Sequence, residues 1–191
     1  MIRNSVIFLA VLLATSLMGT SCSNKHIDND VLEKEFENAP KWVLTGHEEG
    51  FFSAVGSARI GKSGMQFAKT AALAQGRDEL ARQLSVKVES LVNNFVLQTG
   101  LGDDQLVDRL GKQVSHQVTQ NTLSGSHQKD VWISPSSELY VLVFMETTAV
   151  KQSVRNQVIS SYKSQDAEWQ AFKAQNASAK LDREIENVFG K

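Results

Sequence analysis

The sequence predicts an α+β fold: a small antiparallel sheet, one long helix and a helical C-terminal extension. Three observations lead there. Short apolar runs bounded by turn residues occur at 51–58 and 139–145, as strands require. Between them the stretch 66–84 changes to helical period. From Ala149 to Phe189 neither Pro nor Gly interrupts a further series of apolar positions at helical spacing. With 191 residues in all, the chain holds one core once its leader is subtracted.

The leader comes first. Arg3 supplies positive charge, residues 6–14 are apolar, and a small polar stretch runs from Thr15 to Cys22. Residues 1–21 therefore read as a signal peptide. A transmembrane helix takes about 20 consecutive apolar residues, and this run is too short. Leu17-Met18-Gly19-Thr20-Ser21-Cys22 resembles the lipobox of bacterial lipoproteins, with Gly19 where that motif usually has Leu. The resemblance implies that Cys22 is acylated and becomes the new N-terminus. Oxidising compartments usually hold cysteines in pairs, and Cys22 is the single cysteine of the chain. Acyl burial yields about 0.8 kcal/mol per CH₂, and two or more chains hold stably. Ser23 follows, where the inner-membrane retention signal of enteric bacteria has Asp, so the resemblance implies the outer membrane. Which side of it the body faces is left open.

Without Arg3 the mature chain carries 19 Lys and Arg against 21 Asp and Glu, a net charge of −2. Nucleic-acid binding needs a basic face, so that class of partner is excluded. Residues 22–38 are polar with few apolar anchors, the composition of a tether. Pro40 closes it, and Lys41-Trp42-Val43 starts a segment able to dock. Residues 51–58 form a strand. In the helix from Gln66, Leu73, Gly76, Leu80 and Leu84 make one stripe, and Ala71, Ala74 and Ala81 a second, smaller face. A mid-helix Gly costs about 1 kcal/mol relative to Ala, so Gly76 signals close backbone approach to a sheet. Residues 85–97 admit two readings, because Val86 and Val88 alternate with Lys87 and Glu89, while Leu84, Val88, Leu91, Val92 and Phe95 suit a continuing helix. Asp103 then caps a helix with Leu106, Leu110, Val114 and Val118 on its apolar face. A strand at 123–133, a turn at Pro135-Ser136-Ser137 and a buried return strand at 139–145 follow as a hairpin. Residues 149–191 make one long helix or two successive ones.

Five blocks carry a family resemblance: Pro40-Lys41-Trp42-Val43, Ala54-Val55-Gly56-Ser57-Ala58, residues 78–88, Trp132-Ile133-Ser134-Pro135, and residues 139–143. In this order they resemble the LPP-twenty family of small outer-membrane lipoproteins, which includes antigenic lipoproteins and FlgP-like proteins of the flagellar motor. The resemblance spans residues 38–147. It implies a dodecin-like module over residues 39–148, a small antiparallel sheet wrapped around a long helix, and no enzyme activity. It also implies protein partners in the cell envelope, copies of the chain itself among them, with a flagellar-ring accessory role as the alternative.

One motif competes. Gly56-Ser57-Ala58-Arg59-Ile60-Gly61-Lys62-Ser63 satisfies the P-loop pattern, in which backbone amides cradle phosphates, Lys62 would reach the terminal ones and Ser63 would hold Mg²⁺. That reading needs a parallel sheet, whereas the predicted hairpin is antiparallel. Gly56, Gly61, Lys62 and Ser63 are therefore expected to be a strand and a turn, with no cofactor. His26, His47, His116 and His127 show no pair at i, i+4, and no second cysteine joins them, so no metal site is expected. Asp103, Asp104 and Asp108 sit where a helix start welcomes acids. No nucleophile-elbow sequence supports a hydrolytic triad, and no catalytic residue is expected. Trp169 and Phe172 could anchor a partner, but core packing against the sheet is their expected use. The chain is thus expected to be a non-enzymatic lipoprotein, bound to membrane lipid through Cys22.

Overall fold

Strand β3 (Glu138–Met145), the most apolar run of the mature sequence, lies between β1 (Phe52–Arg59) and β2 (His127–Ile133) in a three-stranded antiparallel sheet. A strand covered on both faces needs no polar alternation, and Val141, Leu142 and Val143 are all buried. Phe52 pairs with Met145 and Arg59 with Glu138, while Ile133 pairs with Leu139 across the hairpin. This computed structural model describes residues 29–49 and 51–190, so the signal peptide and Cys22 lie outside the described residues. The chain divides into two compact units, 1–33 and 34–191. The first is described only where helix α1 (Asn29–Glu35) begins, and the rest of the architecture belongs to the second.

One face of the sheet packs on helix α3 (Gly64–Thr99), whose 36 residues make it about 54 Å long. Ala68, Ala72, Gly76 and Leu80 are its buried positions over the sheet. The small size of Ala68, Ala72 and Gly76 lets the helix come close. A Cβ on Gly56 would collide with the Ala72 carbonyl oxygen and the Gly76 amide nitrogen, and one on Gly76 would lie 2.7 Å from Val143 Cγ2. The close approach expected at Gly76 is therefore real, and Gly56 is its partner across the interface.

Residues 85–97 continue α3 rather than turning into a strand. Leu84, Val88, Leu91, Val92, Phe95 and Val96 are buried at spacings of three and four, whereas Val86 is 60% exposed. The alternation of Val86 to Glu89 is thus a local coincidence overridden by the longer stripe. Gly100 ends the helix in the left-handed region (φ 64°), its amide donating to the Val96 carbonyl at 2.8 Å. Leu101 is buried in the turn, and Asp103 caps helix α4 (Asp104–Leu123) by accepting the Leu106 amide at 2.8 Å. Leu123, assigned by sequence to a strand, is the last residue of that helix. The strand starts only at His127, after a turn in which Gly125 N–H donates to the Thr122 carbonyl.

The C-terminal segment forms three helices, α5 (Thr147–Lys163), α6 (Asp166–Ala174) and α7 (Ala177–Phe189), not the one or two expected. No Pro or Gly marks the breaks. The second depends on Asn176 at φ 50°, a conformation Asn tolerates better than most side chains. Val150, Val154, Val158 and Tyr162 are the buried edge of α5. Phe95 on α3 meets Tyr162 and Phe172 at ring separations of 6.2 and 6.1 Å, and Phe52 meets Phe189 at 6.2 Å. Gln98 also donates to the buried Glu184 of α7 at 2.9 Å. The C-terminal helices therefore share one core with the sheet and α3.

The tether reading also needs correction at its end. Residues 29–35 are helical, and Glu35 and Phe36 are already docked, because one aromatic ring and one carboxylate suffice as anchors where composition alone looks polar.

Candidate functional site

The sheet's other face carries Asp130, Trp132, Tyr140 and Phe144, alternate residues of β2 and β3. Residues 34–49, with Phe51, lie over it as a strap. Phe36 stacks on Trp132 (6.3 Å, 21°) and meets Tyr140 edge-on at 6.2 Å. In helix α2 (Lys41–Thr45), Trp42 is buried and its Nε1–H donates to Asp130 Oδ2 at 3.0 Å. Phe51 meets Phe144 edge-on at 5.5 Å, and the Lys129 ammonium, paired with Glu48 at 2.8 Å, sits 3.6 Å above the Phe51 ring. At the strap's start the Glu35 carboxylate accepts the Ser136 hydroxyl at 2.5 Å and the Ser136 amide at 3.2 Å. Hydrogen bonds from Ser134 and Ser136 hold its carboxyl below the usual carboxylate range. This aromatic face escaped the sequence reading, although the period-two placement of Tyr140 and Phe144 was its available signal.

The P-loop residues form no phosphate cradle. Gly56 is mid-strand opposite Val141, and the Ser57 amide donates to the Gln75 side chain at 2.8 Å. The strand continues to Arg59, and the Ile60 amide donates to the Ser137 carbonyl. Gly61, Lys62 and Ser63 follow as an exposed turn ahead of α3. A phosphate loop turns successive amides inward from the end of a parallel strand, whereas these amides are directed by extended backbone in an antiparallel sheet.

The other polar candidates are spread out. His26 lies outside the described residues, the His47 ring approaches the Thr45 carbonyl at 3.0 Å, His116 is exposed and His127 lies against Phe144. Asp103 is the cap, Asp108 pairs with Lys112 at 2.8 Å, and the Asp104 side chain lies outside the described atoms. Among the described residues no group of three or more His, Cys, Asp or Glu could hold a metal ion.

Trp169 and Phe172 separate. Phe172 is buried against Phe95 and Tyr162, while Trp169 is half-buried and stacks on Phe172 at 5.3 Å. Phe172 is core, and Trp169 is where core meets surface. Beside them a cleft of about 560 Å³ opens at the α3–α4 turn, lined by Leu101, Asp103, Arg109 and Glu168 among others. Under it the buried Tyr162 hydroxyl donates to the Leu101 carbonyl at 3.0 Å. Burial, with Glu168 nearby, pushes that phenol up to about 12.

Helix α3 keeps large apolar side chains in water: Phe67 is 65% exposed, Val86 60% and Leu97 71%. Val86 and Leu97 are eleven residues apart, so at about 100° per residue they share one side of the helix. None of the described helices is long and apolar enough to cross a membrane.

A family model described as LPP20 lipoprotein matches residues 40–146, from the residue before α2 to the residue after β3. No curated protein matches the chain.

Proposed function

This chain belongs to the LPP20 lipoprotein family, and from that membership we propose a lipid-anchored outer-membrane protein that works by binding protein neighbours, copies of itself among them, without catalysis. Acylated Cys22 is the anchor in this reading. Lys34, where the second unit begins, follows Cys22 by twelve residues (34 minus 22).

The observation that carries the binding role is the exposed side of α3. Single exposed apolar residues are ordinary, but Val86 and Leu97 lie about 16 Å apart on one face of the family's central helix. Such a pair gives a helical partner two anchoring points separated by about three turns.

Metabolic labelling with palmitate tests the anchor. Label is expected in the parent and absent from Cys22→Ser; an unlabelled parent overturns the anchoring. For the binding face, a photo-crosslinker placed at Leu97 in cells is expected to capture a discrete protein species that Val86→Asp removes. Absence of any crosslinked species, or one indifferent to Val86→Asp, refutes this use of the helix.

A further inference from the structure

A cleft of about 550 Å³ lies among the three C-terminal helices, outside the residues that match the family model. Small-molecule sites fall at roughly 300–1,000 Å³. Its floor is apolar, made by Ile159, Trp169 and Phe172, and its rim carries Arg155, Lys163 and Lys173. Among the described residues no Asp or Glu lines it.

The two lysines are the informative feature. Lys163 Nζ lies 5.3 Å and Lys173 Nζ 5.7 Å from the centroid of the same Trp169 ring. Each stands in the last turn of its helix, where a cation is favoured by the backbone dipole. That accounts for a lysine on each helix, not for their convergence on one indole. Both ammonium groups border the same cleft and the same ring. Arg155 differs, because Asp182 already engages its Nε at 2.7 Å. Lys163 and Lys173 have no carboxylate partner within ion-pair distance among the described residues. A compact anion held between them would meet two strongly hydrated point charges, the form in which lysine recognises phosphate.

We propose that this cleft binds a phosphate ester, its phosphate between Lys163 and Lys173 and its apolar or ring-bearing body on Trp169 and Ile159. A phospholipid headgroup and a soluble phosphate ester share that chemistry. The pocket's apolar floor and its size, larger than an inorganic ion needs, select for an ester.

The test uses the full chain carrying Cys22→Ser, which removes the acyl anchor, titrated with phenyl phosphate while tryptophan fluorescence is followed. Trp169→Phe identifies the reporter among the three tryptophans. Saturable binding in the millimolar range or tighter is expected, stronger than that of inorganic phosphate. Replacing both Lys163 and Lys173 by Gln should weaken it about tenfold, the scale of two solvent-facing charges. Both side chains are exposed, so the variant folds, and Lys62→Gln is the charge-matched control at a distant turn. Competition by phosphatidylglycerol vesicles, with none by phosphatidylcholine, supports the site and assigns the lipid source; binding without such competition supports it and assigns the soluble one. No saturation, binding unchanged in the double variant, or binding lost in Lys62→Gln overturns the proposal.

Discussion

Gly56→Ala is the sharpest perturbation of the interface between the sheet and α3. The added methyl would press into the Ala72 carbonyl and the Gly76 amide nitrogen, with Gly76 Cα 3.0 Å away. All three are backbone atoms of a helix, and no rotamer change relieves them. Carbon contacts are comfortable at about 3.5–4.0 Å, so α3 must withdraw by on the order of 1 Å. Overpacking alone costs about 1–3 kcal/mol. Withdrawal also loosens Ala72 and Leu80, which places the expected loss near the top, about 3 kcal/mol. A strand gains a little from replacing Gly, but only tenths of this. Gly76→Ala is the matched comparison: its methyl meets Val143 Cγ2 at 2.7 Å, a side-chain atom, and gains about 1 kcal/mol of helix propensity. Its net loss should be about 0–2 kcal/mol. Urea unfolding followed by far-UV circular dichroism reads both; at a slope of about 2 kcal/mol/M, Gly56→Ala should lower the midpoint by about 1.5 M. A loss for Gly56→Ala inside about 0.5 kcal/mol, the range of an ordinary surface change, refutes the reasoning, as does Gly76→Ala proving the worse of the two.

Two further outcomes follow. Asp103→Ala removes the cap of α4 and should cost about 1 kcal/mol in the same assay, with Asp103→Asn close to the parent. Tyr162 has its folded pKa raised from 10.0 to about 12 by burial, so its contribution is complete below pH 10 and lost as pH rises toward 12. About 2–3 kcal/mol of stability should disappear across that window. Lysines titrate there too, so the measurement is the difference between the parent and Tyr162→Phe; parallel curves would show that Tyr162 is not the group responsible.

The parts of the fold legible in sequence are those where one physical requirement acts alone. Leu139 to Met145 could only be a buried strand, and Gly76 marks a close contact because no other reason exists for a glycine there. Asp103, next to a glycine-rich turn, reads directly as a cap. Legibility fails where local pattern and tertiary context disagree. Val86 to Glu89 alternates like a strand, yet Leu84, Val88 and Leu91 are held by the core, and the longer-range stripe wins. The breaks after Lys163 and Ala174 carry no Pro or Gly, and the second rests on an Asn side chain with few outward marks. Of the candidate sites, the P-loop pattern matched in letters, but Gly56 serves packing. The cleft around Trp169 brings together residues from α5 and α6, and no spacing in the sequence announces that Lys163 and Lys173 reach one ring.

The central position of β3 has a consequence for how the chain matures. Both β1 and β2 are bonded only to β3, so Phe52 has no partner until Met145 is available. A polypeptide delivered N-terminus first therefore holds its helices as local, readily undone structure, while its strands stay open for most of the passage. Closing the long intervening loop is entropically slow, and every pairing is deferred to one late step. Three helices still follow β3, so the sheet can close before Val150, Phe172, Leu181 and Phe189 arrive to complete the core.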